Sequence, residues 1–384
     1  MIDEARRLAP RFAARAAAYD TDGSFPVDDF ADLRASGLFG LMVPERLGGA
    51  GAGFADYAAI AYELARGNGA TALIYNMHAS VTGALSSVTN ELADALGLPA
   101  EALAARDQYL KAAAGGSWYA VAMSERGAGS RLSQLATMYS KTPDGYHIKG
   151  AKTFCSGAGH ADAYLVAARS AADPSQVSQF LVPAGEGLRV EETWDALGMR
   201  ATGSHDLHVD VTVPAGALLG GVEGLALVVA QLAPHWMVAS YAAVYVGVAR
   251  AAVDAAVDHV NARKLGHLPA VRARIGRADA AVAAAHLAVM EAARRVDEAP
   301  GDTLTNTWVW RAKLLAGTTA AEVAASMLEA AGTSAMRRGH PLERLYRDAR
   351  AGSLQPATSD VCADWLGVAA LGGDPDSEGS APRW

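Results

Sequence analysis

From the N-terminus to about Gly115, apolar residues recur every three or four positions, as in DDFADLRASGLFGLM and FADYAAIAYELARG, with Pro26 and Pro44 at the breaks. Tyr57, Ile60 and Leu64 share one side of such a segment, the period of a packed helix. Near Ser117 the texture changes. WYAVAM, TMYSK, YHIKG, AYLVAA, VSQFLVP and DLHVDVTVP are short, β-branched or aromatic, and separated by turn formers. Thr142-Pro143-Asp144-Gly145 predicts a hairpin, and the alternation of Leu207, Val209, Val211 and Val213 predicts a strand with one buried face. From about Glu223 the helical period returns in Met237–Val260, Pro269–Val296 and Thr305–Ala331, long Ala-rich segments that short loops would pack as a bundle.

The pattern predicts a mainly α chain with a central, small antiparallel β domain. The expected order is helices over 1–116, strands over 117–222, a helical bundle over 223–372 and a disordered polar tail over 373–384. No internal repeat is present.

Composition narrows the function. A chain of 384 residues exceeds one hydrophobic core, and a net charge of −8 argues against nucleic-acid partners without excluding a local phosphate pocket. Cys155 and Cys362 form neither a disulfide framework nor a zinc spacing, so a cytoplasmic location is expected. The opening residues lack a secretory pattern. Met237–Ala249, the most apolar run, is too short to span a bilayer and is expected as a core helix, with no membrane partner. GGAGAG (48–53) has the wrong glycine spacing for a dinucleotide fingerprint and follows no strand, so it reads as a loop.

Five motifs then occur in order: FPVDDFADLRASGLFGLMVPERLGGAG, MSERGAGSR (123–131), Gly150-Ala-Lys152-Thr-Phe154-Cys-Ser156, LGMRATGSHDLHVDVTVP (197–214) and PLERLYRDAR (341–350). Together they resemble the acyl-CoA dehydrogenase superfamily over nearly the whole chain. The resemblance implies an N-terminal helical domain, a β domain and a C-terminal four-helix bundle. It also implies FAD between the last two, and a homodimer or homotetramer in which subunits share cofactor contacts.

For the flavin, the resemblance singles out Met123 and Ser124 at the ring, and Gly129 and Ser130 at a phosphate. Phe154 stands where the family has Trp, and Ser156 where a hydroxyl faces N5. Arg263 and Leu265 would reach the cofactor of another subunit, Gly332 and Thr333 the adenine, and Thr358 follows the late motif. Bland readings stand beside these. Ser124 can simply end a strand, Phe154 can be core, and Arg263 can face a helix C-terminus.

The family's mechanism needs a carboxylate base in one of two places. They fall on Pro356 and near Met237, and neither residue can take a proton. FCSG (154–157) and RDARAGSLQP (347–356) also look like reduced-flavin hydroxylases of this fold, with Gln355 where those often place His. Remaining acid–base candidates are Ser156, His78, His235, Gln355 and Asp360. His78 and His235 are as readily core histidines, and Asp360 as readily a helix-capping or surface carboxylate.

The leading expectation is an FAD-dependent oxidoreductase acting on an acyl thioester of CoA or a carrier protein, with O2 or an electron-transfer partner. A two-component monooxygenase is the alternative, and a non-catalytic acyl- or flavin-binding protein the third.

Overall fold

The computed structural model describes residues 1–377. Six helices come first: α1 (Ile2–Asp22), α2 (Val27–Ala35), α3 (Phe54–Gly67), α4 (Gly69–Ser87), α5 (Asn90–Leu96) and α6 (Ala100–Ala114). Buried Tyr57, Ile60 and Leu64 form the inner stripe of α3, as their spacing predicts. The 48–53 glycines are a loop leading into α3, whose first amides at Phe54 and Ala55 donate to Asp297.

Seven strands follow: β1 (Tyr119–Ala122), β2 (Met138–Thr142), β3 (Gly145–Cys155), β4 (Ala163–Ser170), β5 (Val177–Pro183), β6 (Leu188–Glu191) and β7 (His205–Val213). They form one sheet in the order β1-β4-β2-β3-β7-β6, with β5 beside β4. The hairpin closes where its turn residues predict, Thr142 opposite Gly145. Antiparallel ladders dominate, yet β4 pairs in parallel with both β1 and β2. That mixture was not legible in the alternation, because period 2 is the same in both ladder types. In β3 the register to β7 slips between Lys152 and Cys155, a bulge that re-aims the intervening side chains.

The remaining helices are α7 (Leu225–Leu232), α8 (Ser240–Ala262), α9 (Pro269–Glu298), α10 (Thr303–Ala331), α11 (Pro341–Leu354) and α12 (Ser359–Ala370). α8 through α11 form the four-helix bundle, with α3 and α4 against α8. Gly317 and Gly352 let α10 and α11 approach so closely that a Cβ on Gly317 would sit 2.6 Å from the Gly352 carbonyl. The apolar run around α8 is longer than its sequence suggested. Pro234–Ala262 is long and apolar enough to cross a membrane, but 78% of its most apolar window is buried inside the protein.

Gly373–Ser377, expected to begin a disordered tail, form a turn in which Asp376 accepts from the Trp365 indole at 3.1 Å. Residues 378–384 of that expected tail lie outside the described residues.

The layers are joined by buried charge. Arg347 on α11 donates to both carboxylate oxygens of Asp20 on α1, at 2.9 and 2.5 Å, and to the Leu197 carbonyl at 3.1 Å. Its neighbour Asp348 accepts from the Met199 amide at 2.6 Å. Breaking a buried pair from one side leaves an uncompensated charge and costs about 3–5 kcal/mol. Glu343 also accepts from Arg347, at 2.7 and 2.9 Å, so Asp20→Ala strands the cation only in part and is expected to lower unfolding free energy in urea denaturation by about 1–3 kcal/mol; no measurable loss would show that the clamp is marginal.

Candidate active site

Two of the motifs meet at the end of β1. Glu125, 5% exposed, accepts from Lys152 Nζ at 2.7 Å and from the Ala136 and Thr137 amides at 2.6 and 3.0 Å. Burial opposes ionisation of Glu125, but Lys152 and these donors overcome it and hold the carboxyl below its usual range. Lys152 is pulled down by burial and held up in part by Glu125. The sequence reading quoted both residues within motifs and gave neither a role.

The pair fixes a tight turn. Glu125 and Gly129 exchange backbone bonds at 2.9 and 2.7 Å, and Gly129 has a φ of 62°. Met123, Ser124 and Ser130 are half-buried around this turn. The Ser124 carbonyl accepts from Thr153 at 2.8 Å, tying β1's end to the bulge of β3.

At the bulge stands Phe154. Its φ is 57° and its side chain is 61% exposed, with Trp194 edge-on at 6.0 Å. A bulky residue held left-handed stores about 1–3 kcal/mol, a cost that clusters at ligand sites. Among the described residues, the other two non-glycine positions of positive φ are Met199 and Lys264. Met199 sits beside the clamp and Lys264 between Arg263 and Leu265, so all three strained positions fall in or beside motif segments.

Ser156 is buried, and its hydroxyl is 2.9 Å from Ser204 Oγ, which is 2.7 Å from Thr202 Oγ1. Thr202 donates to the Met199 carbonyl at 2.9 Å. A hydroxyl chain therefore runs from Ser156 to the carbonyl of Met199, a residue whose amide is held by Asp348. Sequence reasoning found Ser156 and missed Ser204 and Thr202, although ATGSH was inside a quoted motif.

The acid–base candidates do not gather in one place. His78 uses both nitrogens on backbone: Nε2 lies 2.7 Å from the Phe39 carbonyl, and Nδ1 accepts from the Tyr119 amide at 3.1 Å. That sets a neutral ring with no atom left for substrate, and burial pulls its pKa to about 4. His235 is buried against Phe54 and Trp236, its Nδ1 has no partner, and burial pulls it also to about 4. Asp360 is exposed in the first turn of α12, where the helix dipole favours an acid. Thr358 caps that same helix through Val361 N. Gln355 closes α11, with Oε1 buried and partnerless.

Lys313 was not anticipated. It is fully buried in α10 and donates to the Gly352 and Gln355 carbonyls at 2.9 and 3.1 Å, the open end of α11. Burial pulls its ammonium down to about 8. Arg263 ends α8, exposed, and Leu265 is half-buried. Gly332, with a φ of 77°, and Thr333 form the turn after α10. A cleft of about 740 Å³ lies elsewhere, between α1, α3, α8 and α11, and holds none of these residues.

The residues fit a flavin: an exposed aromatic plate, hydroxyls, and backbone donors at a tight turn, all strained or pinned before any ligand arrives. Fold and site define a flavin-dependent oxidoreductase. Residues 1–99, 120–212 and 239–359 match the N-terminal, middle and C-terminal domain models of acyl-CoA dehydrogenase. The chain belongs to the acyl-CoA dehydrogenase superfamily.

It is 31% identical to the amino sugar nitrososynthase DnmZ of Streptomyces peucetius, over 97% of this chain and 93% of that protein. Identity to the putative acyl-CoA dehydrogenase YdbM of Bacillus subtilis is 28%, over 96% of each. The FMN-bound structure of TdsC from Paenibacillus, a dibenzothiophene monooxygenase, is 25% identical, superimposes with a TM-score of 0.85, and is covered over 97% of both chains.

Replacing Phe154 separates stability from cofactor retention. Phe154→Gly is expected to keep or raise unfolding free energy, by about 0–1 kcal/mol, while flavin affinity falls at least tenfold by fluorescence titration. Unchanged affinity would remove Phe154 from the cofactor site.

Acid stability follows from His78 and His235. Each is pulled by burial to about 4, against about 6.5 for a solvated imidazole, so the unfolded chain binds the extra protons first. Unfolding free energy is level above pH 6.5 and drops as pH falls towards 4, by up to about 3 kcal/mol per histidine. His78→Gln should flatten that slope by about half in denaturation curves taken at stepped pH.

Proposed function

We propose that this chain is a flavin-dependent monooxygenase that takes reduced flavin from a separate reductase, rather than a dehydrogenase of saturated acyl thioesters. The observation that carries this is the lack of any proton acceptor at either base position. Pro356 follows α11 directly, and Met237 precedes α8 beside His235. α-Proton abstraction from a thioester needs a positioned base, and oxygen transfer does not.

Reduced flavin, when bound, supplies the two electrons that place one atom of O2 on the substrate and send the other to water. The chain's own residues hold and shield it. Phe154 and Trp194 would cover the ring, and Ser124 would bond its polar edge. Ser156 would supply a hydroxyl to it, oriented through Ser204 and Thr202 by the Met199 carbonyl.

The expected cofactor is FAD, with adenine contacts at Gly332, Thr333 and a second subunit's copy of Arg263; FMN would make no adenine contacts. Equal affinity for the two flavins would remove those residues from the site. Two buried thiols with no disulfide fit a cytoplasmic enzyme.

The deciding experiment has two arms. Oxidised holoenzyme is mixed anaerobically with octanoyl-CoA and a cyclohexene-carbonyl-CoA, and flavin absorbance is followed. Separately, apoprotein receives chemically reduced FMN or FAD, air and a ring substrate such as indole, with products read by mass spectrometry. The expected result is no bleaching in the first arm and a product heavier by one oxygen in the second. Rapid bleaching by a thioester would return the chain to the dehydrogenases.

A further inference from the structure

Three elements meet through two imidazoles. His340 stands just before α11, and its Nδ1 accepts from the Leu342 amide at 3.2 Å, capping the helix. Its Nε2 lies 3.1 Å from Nδ1 of His259, in the last turn of α8. His259 Nε2 in turn lies 3.3 Å from the hydroxyl of Ser334, in the turn after α10. The two rings meet edge-on with centroids 5.0 Å apart, and both are half-buried.

One fixed donor sets every proton in this row. A backbone amide can only donate, so His340 Nδ1 carries no hydrogen, and the neutral ring's proton is on Nε2. That proton points at His259 Nδ1, which accepts it, so the proton of His259 is on Nε2, facing Ser334 Oγ. The neutral pair is therefore fully bonded, with the lone pair of each ring in use. A further proton finds no free place. On His340 it displaces the Leu342 amide, and on His259 it meets the N–H of His340 head on.

Charged groups surround the pair without bonding it. Lining the cleft of about 740 Å³ with His340 are Asp254 and Asp258 of α8, Glu343 and Arg344 of α11, Arg338 of the preceding turn, Arg6 and Asp20 of α1, Glu63 and Arg66 of α3, and Arg200 before β7. Arg263 closes α8 one turn beyond His259, and in the last turn of α10 Glu329 pairs with Arg274 of α9 at 2.6 Å. Among the described residues none of these hydrogen-bonds either ring, and the pull on His340 comes from burial and from His259.

We infer that His259 and His340 form a proton-operated latch: neutral, it holds the end of α8, the turn after α10 and the start of α11 together, and acidification releases all three at once. The cleft beside His340 gives protons their path. Because burial and His259 keep His340 below the usual imidazole range, the unfolded chain takes the proton first. The latch is closed above about pH 6.5 and opens as pH falls below that value. Its consequence for the cofactor rests on the flavin reading. Gly332 and Thr333 are the expected adenine contacts next to Ser334, so an open latch should shed FAD faster than FMN.

Hydrogen exchange of the flavin-loaded chain is followed by mass spectrometry at about pH 7.5 and about pH 5, with rates corrected for the intrinsic effect of pH, and flavin release is read by fluorescence on the same samples. Exchange across residues 333–345 is expected to be at least about tenfold faster at the lower pH, while the middle of α9 is unchanged. His340→Asn keeps a capping acceptor without a titrating ring and is expected to remove the acid response. Should that variant not fold, His259→Gln, which offers an acceptor and a donor in the same place, is expected to cut the response at least by about half. Exchange across 333–345 that ignores pH, or an acid response that persists undiminished in a folded variant, would overturn the latch. Opening with FAD and FMN released equally would leave the latch standing and remove Gly332 and Thr333 from the cofactor site.

Discussion

The arrangement depends on the clamp that Arg347 and Asp348 make at the middle of α11. Arg347 reaches back to Asp20 at the end of α1, and Asp348 holds the amide of Met199 in the loop before β7. Through that one residue, amide on one side and carbonyl on the other, the helical bundle is linked to Thr202, then Ser204, then the Ser156 hydroxyl in the β domain. Trp194, which stands over Phe154, donates to the same Met199 carbonyl at 3.2 Å. Burial raises Asp348 while Arg344 and the Met199 amide hold it down, so the carboxylate is sustained by the contacts it organises. Such a link is cooperative: its loss would loosen the proposed flavin wall and a helix end together.

This explains why short motifs far apart in the chain occur as a set. The Glu-containing turn after β1 and the Lys-containing strand are one buried pair, Glu125 with Lys152. The Leu-Gly-Met-Arg loop and the late Arg-Asp segment are one interface, so tight that a Cβ on Gly198 would sit 2.2 Å from the Arg347 carbonyl. Helix period, strand alternation and the hairpin at Thr142–Gly145 were legible because each is local. The parallel pairing of β4 was not, since it is chosen by partners distant in sequence. Ser204, Thr202 and Lys313 escaped for a related reason: a hydroxyl or an ammonium in an apolar run shows its partner only after folding. The histidines were seen as either acid–base candidates or core residues. His78 is spent on two backbone groups, which no spacing reveals.

Lys313 completes the account of the altered base position. It caps the carbonyls of Gly352 and Gln355, the two that flank the last turn before Pro356. A carboxylate at 356 would lie next to a buried cation. With proline there, the cation instead answers the negative end of α11 alone, and its ammonium is pulled to about 8. The segments proposed to hold flavin are tied to α11 at Asp348, two turns before residue 356. The reaction can therefore change at the end of α11 while the fold and flavin contacts persist.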